Sequence, residues 1–132
     1  MIFVDASFWI ALRLPRDDRH ATARTLFEEN ANGPLVTTNL VRAEMWTFLR
    51  SRVSHRSAAH AAGLLADSPR IELARVTEDI ESKAWDWLSE HDERRYSFVD
   101  ATSFELMRRR QITHALAFDA DFSAAGFVEL RP

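Results

Sequence analysis

The chain reads as an α/β protein with a central, mostly parallel, five-stranded sheet flanked by helices. Two observations predict this. Short and wholly apolar runs, beginning with Ile2-Phe3-Val4, suit strands buried on both faces, as in a parallel sheet. These runs alternate with amphipathic stretches of helical period, the pattern of right-handed crossover units. In such sheets ligands sit beyond the carboxyl ends of the strands, so the polar residues that follow each run carry the functional question.

The first run, Ile2–Val4, is followed by Asp5-Ala6-Ser7 and by Phe8-Trp9-Ile10-Ala11-Leu12, a short helix ended by Pro15. From Asp18 to about Asn30, the positions of Ala21, Ala23, Leu26 and Phe27 make an amphipathic helix, with Asn32-Gly33-Pro34 a turn and Gly33 its terminator. Leu35-Val36-Thr37 is the second strand. Thr38 or Asn39 can cap the next helix, whose apolar face carries Val41, Met45, Phe48 and Leu49. An alanine-rich helix runs from Ser54 to Leu65 and stops at Asp67-Ser68-Pro69. Ile71-Glu72-Leu73 is the third strand. Thr77 opens a helix to about His91, with Glu78 and Asp79 favourably placed in its first turn. Ser97 starts a helix through Val99, Phe104, Leu106 and Met107; Ala115–Phe118 and Phe127–Leu130 are the fourth and fifth strands.

A length of 132 residues predicts one domain spanning 1–132. The absence of cysteine excludes disulfide scaffolds, thiolate zinc sites and cysteine nucleophiles. Three glycines leave no material for a glycine-rich phosphate cradle. The net charge of −3 is unlike that of a strongly basic nucleic-acid binder. No apolar run approaches the ~20 residues of a membrane span, and Met1–Asp5 lacks the basic start of a signal peptide, so a cytoplasmic protein with no membrane partner is expected.

The carboxylates fall in a pattern. Asp5 directly follows the first strand, and Asp119 and Asp121 follow the fourth. Glu44 and Asp100 lie in the opening turns of helices among apolar neighbours. If these helix starts share the carboxyl edge of the sheet, four carboxylates converge without a matching cation. Like charges a few ångströms apart cannot all ionise, and a divalent metal removes the conflict. An all-oxygen donor set favours Mg²⁺, with Mn²⁺ as a substitute, over zinc. The chemistry served is in-line displacement at a phosphodiester. Each acid also has a plain structural reading. Ser97-x-x-Asp100 matches a capping box, Asp5 can cap a helix, Glu44 can be a solvated flank, and Asp119 and Asp121 can be turn formers.

Taken in order, Ile2-Phe3-Val4-Asp5-Ala6-Ser7, Val41-Arg42-Ala43-Glu44, Tyr96-Ser97-Phe98-Val99-Asp100-Ala101 and Ala117-Phe118-Asp119-Ala120-Asp121-Phe122, with Gly126 before the last strand, resemble the PIN-domain ribonucleases. Within that family the likeness is to the VapC-type toxins of bacterial toxin–antitoxin pairs. It covers essentially the whole chain and implies a three-layer PIN-like fold. It further implies that Asp5, Glu44 and Asp100 hold Mg²⁺, with Asp119 the favoured fourth acid and Asp121 its alternate, and that Ser7 supports Asp5. Cleavage of RNA, a homodimer and a small antitoxin that blocks the groove are also implied. Two other functions fit less well: a PIN-like domain that binds RNA or a partner without cleaving, and a Mg²⁺-dependent phosphoacceptor or phosphatase domain. The latter needs a lysine near the site, and Lys83 lies well inside a helix.

An acidic centre repels RNA unless the metal and flanking cations restore attraction. Sixteen of the seventeen basic residues are arginine. Arg108-Arg109-Arg110 and Arg42 are the candidate RNA contacts, with Arg50, Arg52 and Arg56 a second basic edge; the plain alternative for the triplet is a favourable charge at a helix C-terminus. The five histidines show no paired metal-ligand spacing. Trp85 and Trp87 cannot share one helix face, so at least one is expected at an interface or the groove.

Overall fold

The computed structural model describes residues 1–132. Its elements run β1 (Ile2–Val4), α1 (Ala6–Arg13), α2 (His20–Glu29), β2 (Leu35–Thr38), α3 (Asn39–Arg52), α4 (His55–Asp67), β3 (Ile71–Ala74), α5 (Glu78–Glu90), α6 (Phe98–Arg109), β4 (His114–Leu116), α7 (Asp121–Ala124) and β5 (Val128–Glu129). The sheet order is β3-β2-β1-β4-β5, and every pairing is parallel. All five expected strands form. The sheet is wholly rather than mostly parallel, because each strand is separated from the next by at least one helix and no hairpin joins two strands.

β1 lies at the centre, between β2 and β4, and its Phe3 and Val4 are fully buried. Three aromatic contacts on Phe122 and Phe104 tie the α6 and α7 side to the sheet: Phe3 stacks on Phe122, Phe104 meets Phe122 edge-on, and Phe104 stacks on Phe127. The helix starts are capped by the expected chemistry. Thr38, Ser54, Thr77 and Ser97 each accept a backbone N–H through the side-chain oxygen.

Local differences from expectation have physical causes. Helix α2 ends at Asn30, whose amide donates to the Leu26 carbonyl at 2.7 Å; Gly33 keeps an ordinary φ and ends nothing. β4 stops at Leu116 because the Phe118 N–H turns away from the ladder and donates to Ser7 Oγ. The short helix α7 has no counterpart among the expected elements; it is one turn, too brief for a periodic signal. Trp85 is 58% exposed and stacks on Phe98, whereas Trp87 is half-buried against Tyr96 and Phe104.

Phe104 is fully buried at the centre of this aromatic group. Phe104→Ala is expected to cost about 3–5 kcal/mol in urea unfolding, with an unchanged dependence on denaturant.

Candidate metal centre

Asp5 leaves the end of β1 and serves as N-cap of α1. Its Oδ2 accepts hydrogen bonds from the Ser7 N–H (3.1 Å) and Ser7 Oγ (2.7 Å). Ser7 Oγ in turn accepts from the Phe118 N–H at 3.1 Å. One hydroxyl therefore joins the ends of β1 and β4, directly before Asp119. Asp5 is 2% exposed, and its Oδ1 is buried with no hydrogen-bond partner. Behind it, Thr37 Oγ1 donates to the Val4 carbonyl and accepts from the Trp9 indole, which pins the end of β1 against β2.

Asp100 enters from the first turn of α6. The capping box is real: the Ser97 N–H donates to Asp100 Oδ2 at 3.0 Å, and the Asp100 N–H donates to Ser97 Oγ at 2.9 Å. Capping orients the carboxyl group without removing it from the cluster, because carboxylate oxygens of Asp100, Asp119 and Asp121 lie within 4.8 Å of one another. Asp119 and Asp121 are held by a tight turn in which the Asp121 N–H donates to Asp119 Oδ1, with Ala120 left-handed at φ 65°. That conformation costs a non-glycine residue about 1–2 kcal/mol. Phe118, just before this turn, stacks on Phe8 and lies against the guanidinium groups of both Arg19 and Arg131. The same two arginines donate to the Phe118 and Ala117 carbonyls.

The acids feel one another. Burial, then Asp119, raises the Asp5 pKa to about 8, against the partial relief of the Ser7 hydrogen bonds. Burial raises Asp100 to about 7, with Asp119 and Asp121 adding to it. Burial and then Asp121 push Asp119 up. Glu44, on the second turn of α3, is solvent-exposed, yet surrounding protein and Asp119 still raise its pKa. Asp119 is thus the acid that Asp5, Glu44 and Asp100 all sense, while Asp5 and Glu44 lie outside the tight three-residue set.

Sequence reasoning supposed that no cation matched these acids. The structure differs: Arg94 Nε and Nη2 donate to Asp121 Oδ1 at 3.0 and 2.9 Å. Arg94 comes from the loop between α5 and α6, and nothing in its sequence neighbourhood marks that pairing. The expected RNA contacts are scattered. Arg42 Nε donates to the Ala62 carbonyl of α4. Arg108, Arg109 and Arg110 end α6, about 14 Å along the helix from Asp100 by the 1.5 Å rise. There Arg109 pairs with Asp79 and Glu105, Arg110 with Glu72, and Arg108 with Glu105.

An orphaned oxygen on a buried acid, beside three clustered carboxylates, fits a hard divalent cation. Asp100, Asp119 and Asp121 lie close enough together to hold it, with the buried Asp5 and the exposed Glu44 near enough to sense Asp119. A parallel sheet in this strand order carries its carboxylates beyond the carboxyl edge, where open α/β sheets place their sites. The chain belongs to the PIN-domain family, whose model matches residues 2–128. It is similar to the 23S rRNA-specific endonuclease VapC20 of Mycobacterium tuberculosis, at 54% identity over 133 residues in both the CDC 1551 and H37Rv strains, covering 100% of this chain and 99% of the relative. The crystal structure of M. tuberculosis VapC20, described as a sarcin-ricin loop cleaving toxin, superimposes with a TM-score of 0.96 at 51% identity, covering 100% of both chains. The expected PIN-like fold and the expected class, a nuclease toxin, agree with these findings. No helix is long and apolar enough to cross a membrane.

The raised pKa values set a stability profile. Unfolded carboxyl groups release protons near 3.8, whereas folded Asp5 and Asp100 keep theirs until about 8 and 7. Between these values the folded state binds more protons, so metal-free stability is highest below pH 4 with respect to these groups and falls as pH rises to 8. Thermal melts in EDTA from pH 5 to 8 should show this fall. Asp5→Asn should flatten it.

Proposed function

We propose that this chain is a Mg²⁺-dependent endoribonuclease, the toxin of a toxin–antitoxin pair, that cuts 23S rRNA at the sarcin-ricin loop. The observation that carries the reading is the convergence of the Asp100, Asp119 and Asp121 carboxylates beside the orphaned Asp5 oxygen. The substrate is taken from the M. tuberculosis relative, a 23S rRNA-specific endonuclease and sarcin-ricin loop cleaving toxin. Bound Mg²⁺ would neutralise the acids and activate a water for in-line attack, and Mn²⁺ would substitute. Asp5, Asp100 and Asp119 supply its oxygens, with Glu44 completing the set. Asp121, engaged by Arg94, orients the turn that carries Asp119. Ser7 leaves one Asp5 oxygen committed to hydrogen bonds and the other free for metal. Arg42, bonded to the Ala62 carbonyl, and the Arg108–Arg110 run, paired with Glu105, Asp79 and Glu72, would reach RNA only by exchanging those partners. The protein works as a single domain over 1–132, as a homodimer, in the cytoplasm where its ribosomal substrate lies, and a small antitoxin restrains it.

Two outcomes test this. Millimolar Mg²⁺ or Mn²⁺ should raise the melting temperature, by about 2.7 kcal/mol of added stability at a hundredfold excess over Kd, and Asp5→Asn should abolish the shift. Asp100→Asn should lower the rate of RNA cleavage by orders of magnitude while RNA binding persists. Cleavage that survives EDTA, or the absence of any divalent shift in the parent protein, overturns the metal-nuclease reading.

A further inference from the structure

We propose that a basic groove where α1 ends, α3 ends and α4 begins binds the phosphate backbone of RNA flanking the cut. It is lined by Arg13, Arg16, Arg52 and Arg56. The inference rests on the nuclease reading above for its ligand class, and on separate residues for its evidence. Two adjoining cavities of about 450 and 360 Å³ open at this place, and Arg13 and Ser57 line both. Residues 45–66 contain no acid, while they hold Arg50, Arg52, Arg56, His55 and His60. Seven of the sixteen arginines are in ion pairs, and none of the four lining this groove is among them. Of the two acids that follow Arg16, Asp17 is engaged by Arg19, and Asp18 is exposed and in no ion pair. Arg13 Nε is buried without a hydrogen-bond partner.

Helix electrostatics explain only part of this set. Arg13 and Arg52 lie in the last turns of α1 and α3, where a cation is favoured. Arg56 lies in the first turn of α4, where the helix dipole opposes it, and Arg16 lies in no helix. Neither of these two is in an ion pair, and an incoming phosphate would supply one. Arg52 rests over the Phe48 ring, so its guanidinium is held in one direction rather than free in solvent.

The placement suits a strand that also reaches the metal centre. α1 begins at Asp5 and ends at Arg13, α3 carries Glu44 early and Arg52 at its end, and the two helices pack together. Each leads about 12 Å from acid to base by the helical rise. That is three or four nucleotides at the ~3.4 Å spacing of a stacked strand. Planar guanidinium groups also suit bidentate phosphate contacts. A continuous polyanion spans both sites, which favours RNA over an acidic protein segment.

The test uses the exposed pair, as an Arg52→Gln/Arg56→Gln double variant, and a labelled RNA stem–loop. Binding is followed by fluorescence anisotropy against KCl concentration. Two lost phosphate contacts should lower the slope of log Kd against log salt by about 1.5, which is about thirtyfold weaker binding at 0.1 M salt, converging on the parent near 1 M. Arg56→Glu should weaken binding as well. An unchanged slope in a variant that melts as the parent does overturns the proposal. So does an unchanged RNA slope with lost binding of poly-glutamate, which would assign the groove to an acidic protein. The divalent melting shift separates the two readings. A parent without that shift whose slope still responds to the double variant loses the nuclease and keeps the groove; a normal shift with an unresponsive slope does the reverse.

Discussion

Burial of the Asp5 carboxyl group is the constraint around which this molecule is arranged. The group sits at the end of the central strand, 2% exposed, where ionisation without a partner is costly. Ser7 satisfies one oxygen and leaves the other bare. The protein could have relieved this with an arginine at Asp5, as it does at Asp121 with Arg94. Instead it brings Asp100 and Asp119 near, which adds to the burial that already raises Asp5, as Asp119 adds to the burial that raises Asp100. Such an arrangement is relieved by protonation, which the raised values of Asp5 and Asp100 express, or by a cation. The fold supplies the rigidity to hold it: the α6 capping box, the Thr37 bond to Val4 and the double arginine hold on Phe118 fix the carbons that carry the acids.

Much of this was legible from the chain alone, for a physical reason. Strands buried on both faces are continuous apolar runs, so Ile2–Val4 and Leu35–Thr37 stand out, and the acids directly after a run are placed by the topology of a parallel sheet. Helix caps are local in sequence, so Thr38, Ser54, Thr77 and Ser97 could be read without knowing the fold. The contacts that escaped are those between residues far apart. The Arg94 pairing with Asp121 spans 27 positions and the Phe118 bond to Ser7 spans 111. Neither leaves a period or spacing behind. The Arg108–Arg110 run shows the same limit: its charge was obvious, but its ion pairs with Asp79 and Glu72 depend on how α5 and β3 approach the end of α6.

At Asp100 the structural reading holds and leaves room for the functional one. One oxygen of the carboxyl group completes the capping box, and an oxygen still lies within the cluster. A carboxylate has about four acceptor positions, so one cap bond leaves capacity for a metal. The cap fixes the rotamer that ligation requires. Asp119 shows a related economy, since the bond from the Asp121 N–H holds the turn while its own carboxyl group faces Asp5, Glu44 and Asp100.

The charge map of the molecule follows from the direction of its helices. In a parallel sheet the helix that directly follows a strand starts near the carboxyl edge, so acids in its first turns gather at the site and bases in its last turns lie away from it. α1 and α3 follow this rule, with Asp5 and Glu44 at one end and Arg13 and Arg52 at the other. Their dipoles favour that polarity, so an acidic centre and a basic flank arise together, without a separate stability cost for either helix. α4 is the exception: it follows α3 rather than a strand, starts where α3 ends, and opens with His55 and Arg56. That exception adds positive charge at the place where α1 and α3 already end, and it converts two ordinary helix termini into one continuous basic surface. A polyanion that must approach four carboxylates needs attraction nearby on the same face of the chain, and the helix polarity of this fold provides it within about 12 Å.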